Sequence, residues 1–251
     1  MPAPPTPATD ANLLEIFSSI QGEGPWLGRR QIFIRFAGCN RACAYCDTPV
    51  DAQNFCRLET VPGHGVFEKI PNPVSLSVIK TMLGQWLESL PGAHHSLSLT
   101  GGEPLLSWRI LCHWLPELRS LLPIYLETNG TLPQAMEKLL PWIDYVATDI
   151  KLPSMTKEAA MWEEHGEFLR LAGNREGCVK IVIDRRADGE EIRRAARLGA
   201  ARAPRFPLIL QPRTGGEPFS AAELLDLQGK LAADHPDVRV IPQMHPVMGL
   251  L

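Results

Sequence analysis

Apolar residues recur along this chain in two rhythms that take turns. Short runs with strand character stand at 31–36 (QIFIRF), 96–100 (SLSLT), 124–128 (IYLET), 145–150 (YVATDI), 178–183 (CVKIVI), 208–212 (LILQP) and 238–242 (VRVIP). Between most of them the apolar positions move to helical spacing, around 106–121, 133–140, 157–171, 188–198 and 220–234. An earlier helix is predicted from Leu76, Ile79, Leu83, Trp86, Leu87 and Leu90, stopped by Pro91-Gly92. Strands alternating with helices predict parallel βαβ units. About seven strands is one short of a closed eight-stranded barrel, so the expected fold is α/β, an incomplete TIM-like (β/α) barrel in a single domain over 12–251.

Two stretches break the rhythm. Residues 1–11 are rich in Pro, Ala and Thr and read as a disordered tail. Residues 49–75 hold Pro49, Pro62, Gly63, Gly65, Pro71 and Pro73 with few periodic apolar positions, and read as a long loop insertion.

Most of the strands run into a polar or glycine-rich segment: CNRAC after the first, then TGGEP, ETNGT, DIKLPS, QPRTGG and PQMHP near the end. Parallel α/β folds bind ligands at the carboxyl ends of their strands, so the chemistry is expected there. No G-x-G-x-x-G comes after a strand, which leaves a dinucleotide fold without support.

The densest chemistry is at CNRACAYCD, where Cys39, Cys43 and Cys46 stand in a C-x₃-C-x₂-C spacing. A four-iron cluster takes cysteine thiolates, and three of them leave one iron open to a ligand. A structural zinc with Cys56 as fourth ligand is the competing possibility. A zinc ribbon, however, pairs two C-x₂-C knuckles, and only one is present. Thr100-Gly101-Gly102-Glu103-Pro104 closes the next predicted strand, where two glycines allow a backbone to approach a ligand and offer carbonyl groups to an ammonium.

Totals narrow the remaining choices. A formal net charge of −3 over 251 residues with no long basic block gives no footprint for nucleic acid. No apolar run approaches the length of a bilayer span. The first residues carry no charged segment followed by an apolar core, so a reducing cytoplasmic setting is expected, with the six cysteines metal-binding or buried rather than disulfide-bonded. Cys112 and Cys178 lie in apolar periodic segments and are expected to be core residues.

The cysteine spacing, with Tyr45 just before the last thiol and GGEP one βα unit later, resembles the radical S-adenosylmethionine (SAM) superfamily. FSSIQGEGPWLGRRQIFIRFAGCN, the CDT after the cluster loop and the terminal VRVIPQMHPVMGLL together resemble, within it, the 7-carboxy-7-deazaguanine synthase family. The resemblance implies a [4Fe-4S] cluster on Cys39, Cys43 and Cys46, with SAM bound at its open iron and cleaved by a cluster electron to a 5′-deoxyadenosyl radical. It implies SAM contacts from Tyr45, Gly101, Gly102, Glu103, Thr128, Asn129 and Lys151, with Glu127 and Asp149 nearby. It also implies Mg²⁺ on the Thr48 hydroxyl, an oxygen ligand suited to a hard cation. The implied substrate is 6-carboxy-5,6,7,8-tetrahydropterin, met by Gln21, Glu23, Arg35, His245 and the terminal carboxylate of Leu251. The product is 7-carboxy-7-deazaguanine, a queuosine precursor, with ammonia lost. The same resemblance implies a homodimer and a flavodoxin or ferredoxin as electron donor. An activating enzyme that installs a radical on a partner protein would share the cluster and SAM but have no need of QGEG or CDT.

Overall fold

The computed structural model describes residues 9–46 and 48–250, so Asp47, Leu251 and positions 1–8 of the expected tail lie outside the described residues. The strands are β1 (Leu13–Ile20), β2 (Arg30–Phe36), β3 (Phe55–Glu59), β4 (Phe67–Pro71), β5 (Ser96–Gly101), β6 (Ile124–Thr128), β7 (Tyr145–Asp149), β8 (Glu176–Ile183), β9 (Leu208–Pro212) and β10 (Val238–Val240). The helices are α1 (Leu76–Ser89), α2 (Trp108–Leu118), α3 (Pro133–Leu139), α4 (Pro153–Thr156), α5 (Trp162–Ala172), α6 (Gly189–Arg202), α7 (Ala221–Leu231) and α8 (His245–Met248).

One sheet runs in the order β10-β9-β8-β7-β6-β5-β2-β1-β3-β4. From β2 to β10 every pairing is parallel, and these are the seven strands expected from the apolar rhythm. The fold is thus the incomplete α/β barrel, extended at one edge. β1, formed by LLEIFSSI, pairs antiparallel with β2, and a hairpin of β3 and β4 then continues the sheet through a parallel pairing of Glu15 with Arg57 and Ile16 with Leu58.

That hairpin corrects the expected loop at 49–75. Its strands are five residues each, bounded by Pro and Gly, too short for a periodic signal to stand out. The buried Glu59 carboxylate closes it by accepting from Gly65 N (2.7 Å), Gly63 N (3.0 Å) and Ser18 N (2.8 Å). The tail also ends sooner than expected. Ala11 is buried and exchanges backbone hydrogen bonds with Val74, and Thr9 O accepts from Trp114 Nε1 at 2.9 Å. The helix expected at 157–171 starts later, at Trp162: Lys157 takes a left-handed φ of 63° directly after the short α4, and 158–161 are not helical.

Strand alternation sorts the side chains into two faces. Leu97, Leu99, Leu126, Val146, Ile181 and Leu210 belong to the apolar core with the helix residues Ile79, Leu83, Trp114, Leu115, Leu139 and Phe168. The opposite phase carries Arg35 on β2, Thr100 on β5, Glu127 on β6, Asp149 on β7, Lys180 on β8 and Gln211 on β9, all facing one cavity. Helix ends are closed locally: Ser75 caps α1, Asp188 caps α6 and Ser220 with Glu223 forms a capping box on α7. No described helix is long and apolar enough to cross a membrane.

Candidate active site

The inner face of the sheet opens into a cavity of about 930 Å³ whose wall includes the cysteine loop at one side and the QGEG turn at the other. Its position at the carboxyl ends of the strands follows from the parallel topology.

The cysteine loop is held against the glycine edge of β5. Gly102 N donates to Phe36 O (3.1 Å) and Glu103 N to Gly38 O (2.8 Å). Gly101 has φ +126°, and a Cβ on Gly102 would overlap the Gly38 carbonyl, so both positions require glycine. Glu103 is fully buried and turned away from the cavity: its carboxylate accepts from Leu105 N (3.0 Å), Thr128 Oγ1 (2.8 Å) and Asn129 N (2.8 Å). Burial pushes its carboxyl up to about 7, against the pull of those hydrogen bonds. Asn129 in turn donates to Asn40 Oδ1 (2.8 Å) and stands 3.9 Å from Cys39 Sγ, while Asn40 donates to Thr131 Oγ1 (2.8 Å). A closed set of amides therefore fixes the start of the loop.

Cys39, Cys43 and Cys46 are free thiols lining the same cavity. Burial raises the Cys39 and Cys43 thiols above their ordinary range, so forming thiolates there depends on a cation to ligate. Cys56 is elsewhere. It is buried in β3 with its thiol pushed up to about 12 by burial, and it does not line the cavity, so it is a core residue and no fourth ligand. Cys178 lies on β8, fully buried as expected, and also borders the cavity.

From the QGEG turn to the edge of the cysteine loop, four charges alternate in sign. Glu23 pairs with Lys180, Lys180 stands 3.4 Å from Asp149, and Asp149 pairs with Lys151 at 2.7 Å. Burial would raise the Glu23 carboxyl, but the Lys180 charge and hydrogen bonds from Lys180 and Gln243 hold it below its ordinary value of 4.5. Asp149 is likewise held below 3.8, against burial, by Lys151 and Lys180. Gln243 Nε2 (2.8 Å) and Gln211 Nε2 (3.2 Å) also donate to Glu23 Oε1. Gln211 is 1% exposed, and its Oε1 has no hydrogen-bond partner among the described residues. The Lys151 ammonium lies 5.5 Å from the Tyr45 ring centroid, which joins this network to the cysteine loop.

Gln21 is 3% exposed and spends its amide on the wall: Nε2 donates to Glu127 Oε1 (2.7 Å) and Gln31 Oε1 (3.1 Å), and Oε1 accepts from Glu23 N (3.0 Å). Glu127 Oε2 accepts from Thr100 Oγ1 at 2.7 Å. Arg35 donates Nε to Glu15 (2.8 Å), which Arg57 shares at 3.2 Å. His245 reaches the cavity because Gly22 leaves room for it: a Cβ there would sit 2.8 Å from the His245 backbone N, and Met244 N donates to Gly22 O at 2.9 Å. Thr48 lines the cavity beside Cys46, whose Sγ lies 3.5 Å from Thr48 O.

A radical SAM superfamily model matches residues 33–198. The crystal structure of QueE from Escherichia coli has the same fold, with a TM-score of 0.56 over 93% of this chain and 94% of that one at 19% identity. A structure of TYW1 follows at TM-score 0.54, 14% identity, 81% of this chain and 73% of its own. A curated 7-carboxy-7-deazaguanine synthase from Geobacter sulfurreducens is 44% identical over 96% of this chain and 98% of its own length. The chain belongs to the 7-carboxy-7-deazaguanine synthase family. Another member, from Archaeoglobus fulgidus, is 35% identical over 96% of this chain and 99% of its own.

For a member of that family the donor set fits an iron–sulfur cluster. Three thiols from one loop line the cavity, and the glycine edge is pressed against their base as tightly as backbones allow. Membership also removes the zinc module from consideration. Of the residues expected at the site, Gln21, Glu23, Arg35, Tyr45, Thr48, Gly101, Gly102, Thr128, Asn129, Lys151 and His245 all line the cavity, together with the three cysteines. Glu103 does not, and acts through Thr128 and Asn129. Leu251 lies outside the described residues. Lys180, Gln211 and Gln243 join the expected set only through the fold, although QPRTGG and PQMHP marked the strand ends that carry two of them. Lys180 had a signal too: a lysine in an otherwise apolar strand, in phase with Cys178.

Proposed function

We propose that the chain converts 6-carboxy-5,6,7,8-tetrahydropterin to 7-carboxy-7-deazaguanine with release of ammonia, a step toward queuosine-type 7-deazapurines. Family membership over nearly the whole chain supports the reaction. The observation that carries the choice of substrate is the buried Gln211 Oε1 without a partner among the described residues, beside an ionised Glu23, in the cavity that the cysteines also line. A pterin edge offers ring NH and amino donors. Two buried acceptors side by side match that edge, and an unfilled one is costly without its ligand.

Cys39, Cys43 and Cys46 would hold a [4Fe-4S] cluster, and Gly101, Gly102, Thr128, Asn129, Tyr45 and Lys151 would form the SAM edge. Together these groups supply one-electron cleavage of SAM and hydrogen-atom abstraction; the protein's part is orientation and exclusion of water. Glu23 and Gln211 receive the pterin donors, Gln21 fixes Glu23 through its backbone, His245 borders the same pocket, and the Leu251 carboxylate is a further substrate contact by family resemblance. Arg35 faces the substrate carboxylate with the guanidinium nitrogens left over from Glu15. Thr48 would offer its hydroxyl to Mg²⁺, a hard cation suited to oxygen ligands and able to take a carboxylate as well. The enzyme works as a homodimer in the cytoplasm and draws its electron from a flavodoxin or ferredoxin.

The test is an anaerobic incubation of reconstituted protein with SAM, reductant, Mg²⁺ and the tetrahydropterin, followed by mass spectrometry. Formation of 7-carboxy-7-deazaguanine is expected. 5′-Deoxyadenosine without that product would retain the cluster chemistry and refute the substrate. Thr48→Ala is expected to keep its iron and lose most of the Mg²⁺ stimulation of turnover. A Mg²⁺ response equal to that of the parent would remove Thr48 from the metal site.

A further inference from the structure

The cysteine loop touches more of the protein than the glycine edge. Residues 157–161, between α4 and α5, cross its outer side and, with the end of α4, meet it at successive positions. Thr156 O accepts from Ala44 N at 3.1 Å, Glu158 Oε1 from Ala42 N at 3.0 Å, and Ala159 O from Arg41 Nη2 at 3.0 Å. Glu158 Oε2 pairs with Arg41 Nε at 2.9 Å and stands 3.9 Å from Cys43 Sγ. The Arg41 side chain is 9% exposed and Glu158 25%, so water screens this ion pair only in part.

The strap is itself anchored. Met155 and Thr156 are buried, Ser154 N donates to Glu191 on α6 (2.9 Å), and Asp188 N donates to Ser154 Oγ (3.0 Å). Lys157, left-handed with its N–H on Pro153 O, turns the chain so that Glu158 points back over the loop. The Glu158 amide then donates to Thr156 Oγ1 at 3.3 Å. A non-glycine residue in that conformation is uncommon and persists where its surroundings over-determine it.

We propose that Glu158 is a positioning residue for the iron–sulfur cluster. Through Arg41 and Ala42 N it clasps the middle of the cysteine loop from outside, and so governs how firmly the cluster is retained. Asn129 and Asn40 hold the loop's start; the Glu158–Arg41 clasp holds the stretch between the first two ligands, which has no other charged partner among the described residues. Outer-shell groups of this kind affect metal affinity through the ligands they orient. The clasp does not depend on the identity of the substrate, and its test uses none.

Reconstituted Glu158→Gln, Arg41→Gln and the double variant are exposed anaerobically to a ferrous chelator, and iron release is followed by absorbance. Each single variant is expected to lose iron about tenfold faster than the parent, and the double variant no faster than either single, since both break one clasp. The apo variants should stay folded, with a modest and similar drop in melting temperature in the two singles, because each leaves one charge of a mostly buried pair without its partner. Reduction potentials from electron paramagnetic resonance titration separate positioning from general loosening. Removing the carboxylate beside Cys43 should shift the potential upward and removing the guanidinium downward, because cluster potentials follow local charge. Parental iron release in both singles, additive losses in the double variant, or potentials that move together would each overturn the proposal. Arg41→Gln leaves Glu158 on Ala42 N, so it remains readable if the Glu158 variant does not fold.

Discussion

Replacing Cys39, Cys43 or Cys46 by alanine is expected to abolish SAM cleavage, with no 5′-deoxyadenosine above the level of a protein-free control. The three thiols form one ligand set on one loop, and the loop is fixed at both sides before any metal is present: by Asn129 and Glu103 from the strand ends and by Glu158 from the strap. Because the fold pre-orients these ligands, no neighbouring thiol can move in as a substitute. Cys56 is sealed in the core under β3 and Cys178 is part of β8. The same loss should appear in iron content and in the brown colour after reconstitution. Cys56→Ala serves as the control and is expected to retain iron, its cost being confined to packing. Retained SAM cleavage in any of the three cysteine variants would refute the ligand assignment.

The parallel strands were legible in the sequence because each is an apolar run between polar strand ends and amphipathic helices, a repeating context that isolated runs lack. The hairpin of β3 and β4 was not. Only its outer strand β4 lies at the sheet edge, with three of five residues exposed, and its geometry depends on a buried Glu59 whose partners are remote in sequence or are bare backbone amides. At the site, groups that carry chemistry through covalent spacing, the cysteines and the GGEP glycines, were readable from their motifs. Groups that act through tertiary pairing were harder. Glu103 looks like a ligand in GGEP, yet the fold turns it inward to hold Asn129. Glu158 sits in an unremarkable polar segment, and only the left-handed turn at Lys157 brings it to the loop.

Lys180→Met should produce the second large effect, on stability and on catalysis together. Lys180 stands between Glu23 and Asp149, with each side chain less than a fifth exposed. Removing one partner from a buried ionic network leaves charge uncompensated. Since Asp149 keeps Lys151 and Glu23 keeps its two glutamines, the loss should fall at the low end of the usual range, about 3 kcal/mol. For a chain of this size that is a drop in melting temperature of roughly 6–12 °C. In the parent, the carboxylates contribute fully above their ordinary values of 4.5 and 3.8 and lose that contribution as pH falls through their lowered folded values. The Lys180 ammonium, raised in the fold by Asp149 and Glu23 against burial, contributes fully below 10.5 and loses it as pH rises through its folded value. The network is therefore indifferent to pH across the neutral range. Without Lys180, burial is the dominant influence on Glu23 and moves its carboxyl upward, so part of the population holds a proton where a pterin donor has to bind. At limiting pterin, turnover by the variant relative to the parent should accordingly rise with pH, with the effect mainly on KM. A variant that melts with the parent and shares its pH profile would show that Glu23 does not need Lys180 to stay ionised.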